Sequence, residues 1–151
     1  VSAISYIVFM LNKEEYGIEI SYAQEIIRIP KQISQIPNMP SYVEGVINLR
    51  GKVITVINLS KRFGFEQTNV SLDSRLLIVE LEDIMLALIV DDVSEIINFD
   101  DSSIEQLNSV ISQIGNNSLK GIGKVEKRLI VLLDASKLKN EVFQQKIRME
   151  H

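Results

Sequence analysis

At 151 residues the chain suffices for one domain or two very small ones, long enough to bury roughly 70% of its unfolded surface. Its 37 Ile and Val, against 15 Leu and 4 Ala, are β-branched residues suited to pleated sheet and argue against a helical bundle. Cysteine is absent and the single histidine is His151, which excludes disulfides, Cys nucleophiles, thiolate metal sites and internal His-based triads, while a net charge of −4 with scattered cations points away from nucleic acid.

From the amino end, residues 1–5 lack the basic leader of an export signal, and no apolar run approaches the ~20 residues of a bilayer-spanning helix. A cytoplasmic location is the expectation. Short Ile- and Val-rich runs then recur at Tyr6–Leu11, Tyr16–Ile20, Val43–Leu49, Lys52–Leu59, Leu76–Leu81, Ile84–Val90 and Arg128–Leu133, and their length and composition predict strands. The tight connections Asn12–Glu15 and Glu82-Asp83 predict hairpins, and hence antiparallel sheet. Ser21 and Asp92 stand at capping-box spacing before Gln24 and Glu95, which predicts a short capped helical turn at each. Helical spacing also runs over Ser103–Ile114 and over a C-terminal segment from Ala135 to Met149.

The chain repeats itself. An offset of 70 lays Tyr6–Ile27 over Leu76–Ile97 and matches Glu25-Ile26-Ile27 to Glu95-Ile96-Ile97; an offset of 76 lays Gly45–Lys61 over Gly121–Lys137. Chance similarity between β-rich stretches is the competing explanation. Duplication predicts a mainly β fold of two similar small barrels packed together, each of about 60–70 residues. The expected division is a first subdomain of about residues 16–75 and a second of about 76–137, with the N-terminal strand and a helix over 135–149 packing on them.

Catalytic patterns are weak. Glu25 with Glu95, or Asp91 with Asp92, could pair as acid and base, but their positions at helix starts favour capping. Lys120-Gly121-Ile122-Gly123-Lys124 lacks the third glycine of a nucleotide fingerprint and suits a strand glycine approached by another backbone. No metal-ligand spacing is present, so neither cofactor nor metal is expected. The segment from Ile36 to Gly51 is more informative: Pro37 and Pro40 fix its entry, Gly45 releases it into a strand, and Asn48-Leu49-Arg50-Gly51 forms a hairpin tip. Arg50 at that tip can clamp a carboxylate on another surface or simply solvate the turn.

Glu15-Tyr16-Gly17-Ile18-Glu19-Ile20, Gln24-Glu25-Ile26, Ile36-Pro37-Asn38 and the run from Pro40 to Gly51 together resemble the CheW family of chemotaxis coupling proteins. Arg62-Phe63-Gly64, Ile89–Glu95, Leu119–Gly123 and Arg128–Asp134 follow in the family's order, so the resemblance covers nearly the whole chain. It implies two SH3-like five-stranded barrels and an adaptor without catalysis. Such an adaptor bridges the cytoplasmic tip of chemoreceptors and the regulatory domain of the histidine kinase CheA, at receptor arrays on the inner face of the membrane. By motif position, Arg50, Asn48, Gly45, Ala23 and Val93 would face the receptor, and Glu25 either partner. Ala23 replaces the usual Val, Thr55 stands where Pro is common, and Asn58 replaces a frequent Asp. The alternative within the family is a CheW-like module of a CheV-type protein or of a CheA regulatory domain, which requires a receiver or ATP-binding domain on the same chain.

Overall fold

The computed structural model describes residues 3–65, 70–106 and 118–139. The first half holds β1 (Ile4–Leu11), β2 (Glu14–Glu19), β3 (Ala23–Arg28), β4 (Val43–Leu49), β5 (Lys52–Asn58) and a single helical turn α1 (Leu59–Arg62). The second holds β6 (Arg75–Leu81), β7 (Ile84–Val90), β8 (Asp92–Phe99), the short β9 (Ile104–Glu105), β10 (Leu119–Val125) and β11 (Arg128–Leu133), followed by helical residues 135–139. The mainly β class is as the composition predicts.

The strands do not divide where the sequence halves do. One sheet has the order β3-β6-β7-β5-β4 and the other β8-β1-β2-β11-β10-β9. Each half therefore gives its hairpin to the other half's barrel, and the expected boundary near residue 75 runs through the first sheet. The exchange is symmetric. β7 lies parallel to β5, with Thr55 opposite Leu86, and β2 lies parallel to β11, with Val131 opposite Tyr16; these pairs superpose under the offsets of 70 and 76.

Local irregularities repeat as well. Pairing skips Gln24 in β3 and Ser94 in β8, and Glu44 in β4 and Lys120 in β10, so equivalent bulges bend both sheets at equivalent places. The amide of Asn58 donates to the Tyr42 carbonyl, and that of Asp134 to the Ser118 carbonyl, both at 2.7 Å. Asn58 Oδ1 then accepts from Lys61 N and Asp134 Oδ1 from Lys137 N, each at 3.1 Å, capping the turn that follows. An amide oxygen at Asn58 serves here as well as the carboxylate does at Asp134.

Alternation along β1 and β6 shows where the core sits. Tyr6 and Val8 line the interior of the second barrel, while Ile7, Phe9 and Leu11 face a central cluster between the barrels. Leu76 and Ile78 likewise line the first barrel, while Leu77, Val79 and Leu81 face the same centre. The central cluster also takes Ile57 and Leu59 from one half and the equivalent Leu133 and Ala135 from the other, making it larger than either barrel interior. The exchanged hairpins are thus buried on both faces, which a continuous apolar run requires.

Two helical expectations are corrected. Around Ser21 there is only a 3-10 turn, Ile20–Tyr22, without a side-chain cap, and Asp92 opens strand β8, its carboxylate accepting from the Val93 amide at 2.8 Å. Pairing of β3 with β6 and of β8 with β1 outweighs the local capping preference. Of the pattern at Ser103–Ile114, Ile104 and Glu105 form β9 on β10, and residues 107–114 lie outside the described residues.

Residues 135–139 are helical and place Ala135 and Leu138 in the central cluster, while the rest of the helix expected over 135–149 lies outside the described residues. Lys139 Nζ donates to Glu82 at 2.9 Å and to Asp83 at 2.8 Å in the β6–β7 turn, and the Lys139 hydrogen bond holds the Asp83 carboxyl below its usual range. A carboxyl depressed on folding adds stability above its unfolded pKa and loses it as pH falls through the lower folded value. Lys139→Met should therefore lower the melting temperature at neutral pH, with the difference from wild type closing as Asp83 protonates in acid; parallel melts across pH check this.

Candidate functional site

The β4–β5 hairpin turns on Arg50 and Gly51, both with positive φ (51° and 86°), between the paired Leu49 and Lys52. Positive φ at both central residues is the turn that matches strand twist, and glycine at the second position relieves half its strain. Asn48 Oδ1 accepts from the Gly51 amide at 2.9 Å and braces the turn. The Arg50 guanidinium reaches across to form an ion pair with Glu25 of β3. Its side chain remains 71% exposed, so Glu25 orients the cation without consuming its donors. Such an exposed pair contributes little to stability and chiefly sets direction. A depression of about 250 Å³ lies beside it, lined by Glu25, Leu49, Arg50, Lys52, Glu80 and Met85.

Sequence position had grouped Asn48, Arg50 and Glu25 by motif alone, and the fold joins all three in one hydrogen-bonded corner. The other candidates lie differently. Gly45 is buried, with φ of 141°, and an added Cβ would stand 2.1 Å from the Ser34 carbonyl oxygen. That carbonyl accepts from Val46 N at 2.8 Å, and Ser34 N donates to the Val46 carbonyl at 2.9 Å, so Gly45 admits the segment that covers the outer edge of β4. Ala23 and Val93, equivalent under the offset of 70, are half-buried and both pack against the central cluster. Their exposed remainder is all they present to a partner.

The second barrel carries a related corner that sequence reasoning did not pair. Arg128, at the start of β11, donates to both oxygens of Glu15, at 2.5 and 3.1 Å, and to Glu95 at 2.8 Å. These two carboxylates, Glu15 first, raise the guanidinium pKa further above its ordinary value. Glu95 is the equivalent of Glu25. Beside each carboxylate sits an isoleucine exposed on its strand, Ile26 at 42% and Ile96 at 58%; Val53 and Leu129, equivalent under the offset of 76, are 75% and 60% exposed. The repeated Glu-Ile-Ile triplet was the signal for the first pair.

Among the described residues, no group of three His, Asp or Glu side chains is placed to hold a metal ion, and no helix is long and apolar enough to cross a membrane.

The sequence profile of the CheW-like domain matches residues 5–143. The chemotaxis protein CheW of Bacillus subtilis is 34% identical over 130 residues, covering 86% of this chain and 83% of that protein. The chemotaxis protein CheW of Treponema pallidum is 31% identical over 145 residues, covering 93% and 85%. Among solved structures, the scaffolding protein TtCheW from Thermoanaerobacter tengcongensis superposes with a TM-score of 0.79 at 38% identity, over 88% of this chain and 85% of that one. With a profile match over nearly its whole length and a shared fold, the chain belongs to the CheW-like family.

Proposed function

We propose that this protein is a non-enzymatic adaptor of bacterial chemotaxis that couples chemoreceptors to the histidine kinase CheA. The observation that carries the receptor half is the Arg50 corner: a cation held by Glu25 and a turn braced by Asn48, with most of the guanidinium open to solvent. A partner carboxylate or carbonyl can meet such a group without first ordering it, which lowers the entropic cost of association. The helical hairpin of a receptor tip is a partner of this kind.

The kinase half rests on the repeat. Both barrels present an exposed isoleucine beside a glutamate and a second apolar residue on the following hairpin, Ile26 with Val53 and Ile96 with Leu129. A homologous barrel on the kinase regulatory domain is suited to such surfaces, and several modest interfaces acting together give an assembly its strength.

Reversing the charge at the tip is the test. Arg50→Glu should leave the melting temperature within about 2 °C of wild type, as expected for an exposed side chain, and reduce co-sedimentation with receptor fragments tenfold or more. Undiminished receptor binding by the folded variant would overturn the assignment of this corner.

A further inference from the structure

The chain is acidic overall, yet at one end of the first barrel two arginines stand opposite one another and, among the described residues, neither is paired with a carboxylate. β3 ends at Arg28, β6 begins at Arg75, and the register sets these two residues directly opposite one another. Cross-strand partners share a face of the sheet, so both side chains leave on the same side, and like charges in that position destabilise a sheet unless something answers them. Arg75 Nη1 donates to the carbonyls of Leu72, at 2.7 Å, and Ser74, at 2.9 Å, which fixes the group but leaves its charge unbalanced. The Arg28 side chain makes no hydrogen bond or ion pair with any described residue.

The space before them is concave. A cavity of about 310 Å³ is lined by Arg28, Ile29, Ser71, Leu72, Ser74 and Arg75. Its rim is a turn locked on itself: Ser74 N donates to the Ser71 carbonyl at 3.2 Å, and Ser71 N to Ser74 Oγ at 2.9 Å. Ser71 Oγ accepts from Asp73 N at 3.2 Å, and its own hydrogen meets no acceptor among the described residues, so it can turn into the cavity. Asp73 is in the same turn, but it neither lines the cavity nor pairs with either arginine.

We propose that this cavity is an oxyanion site that takes a phosphate-class dianion between Arg28 and Arg75, with the Ser71 hydroxyl as a third donor. Charge selects the class. One carboxylate balances one guanidinium, whereas a phosphate near its second ionisation carries close to two charges and offers acceptor oxygens to both forks. Arg28 supplies the mobile fork and Arg75 the fixed one. The site lies apart from the Arg50 corner and does not depend on the adaptor role.

Titration of the full chain with inorganic phosphate at constant ionic strength, followed by amide chemical shifts, tests the site. Saturating shifts confined to residues 28, 29 and 71–75 are expected in the millimolar range, with affinity falling severalfold from pH 7.5 to 5.5 as phosphate becomes a monoanion. Arg28→Gln, which breaks no contact with a described residue, should weaken binding about tenfold, and Lys13→Gln, an exposed cation elsewhere, should not change it. Absence of saturation by 20 mM, equal affinity in Arg28→Gln, or acetate binding as tightly as phosphate would each overturn the proposal.

Discussion

Gly45→Ala is expected to lower the melting temperature by roughly 6–20 °C, although it adds only a single methyl group. The new Cβ would sit 2.1 Å from the Ser34 oxygen and 2.8 Å from its carbonyl carbon, and both are backbone atoms that no rotamer change can move. The φ of 141° is itself strained for an L residue, at about 1–3 kcal/mol. Relieving the clash means parting Ser34 from Val46, which removes two backbone hydrogen bonds worth about 1 kcal/mol each. Together these costs come to about 3–5 kcal/mol, and each kcal/mol lowers the midpoint by about 2–4 °C in a chain of this size. Gly121→Ala meets the equivalent carbonyl, that of Glu105, at 2.6 Å without the unfavourable φ, so a smaller loss is expected there. Thermal melts of the two variants check the order. Gly45 stands within the segment assigned to the receptor, and this measurement separates its two possible roles. A variant that melts as wild type yet fails to bind would make Gly45 a contact, whereas binding lost in proportion to folding makes it a support for the Arg50 hairpin.

Much of this was legible because the chain says it twice. A strand pattern seen once is ambiguous, but the match of Tyr6–Ile27 with Leu76–Ile97 located β1, β2, β6 and β7, and the bulges at Gln24, Ser94, Glu44 and Lys120 fall at matched positions. The exchange of hairpins was not legible in the same way. Repetition shows which segments resemble one another, and an interval of 70 residues is equally satisfied whether β1 and β2 join their own half or the other. The available sign was subtler: in Tyr6–Leu11 both faces of the strand are apolar, which an exterior strand of an isolated barrel would not need. The capping boxes failed for a related reason, since long-range ladders are invisible to a local rule. At the site, Asn48, Arg50 and Gly51 declared their turn through sequence chemistry alone. The Glu25 partner, 25 residues away, required the fold, and so did the role of Gly45, although the reading given to Gly121 as a glycine met by another backbone applies to both.

The central cluster makes a second large prediction, about cooperativity. Two barrels with separate interiors could melt separately, but here the largest apolar cluster lies between them and is built from hairpins that each half gives to the other. Phe9 is fully buried there on β1, stacked on Tyr16 with ring centroids 6.2 Å apart. Phe9→Ala should cost about 3–5 kcal/mol, the transfer of the ring together with the cavity left behind. Because that cavity opens on the shared cluster, the loss should be felt in both barrels: amide exchange should accelerate by similar factors at Val56 of β5 and Leu132 of β11, and calorimetry should show one transition at a lower temperature. Val8→Ala, one residue away, faces only the interior of the second barrel, beside Phe99, Ile130 and Leu132. Its effect should begin in that barrel, with exchange at Leu132 rising more than at Val56. Two resolved transitions in the wild type, or loss of protection confined to one barrel in Phe9→Ala, would show that the halves are stable units in contact. A single transition would mean that each half folds only by completing the other, so that any shift in the relative setting of the barrels must repack the cluster that Phe9 and its partners fill.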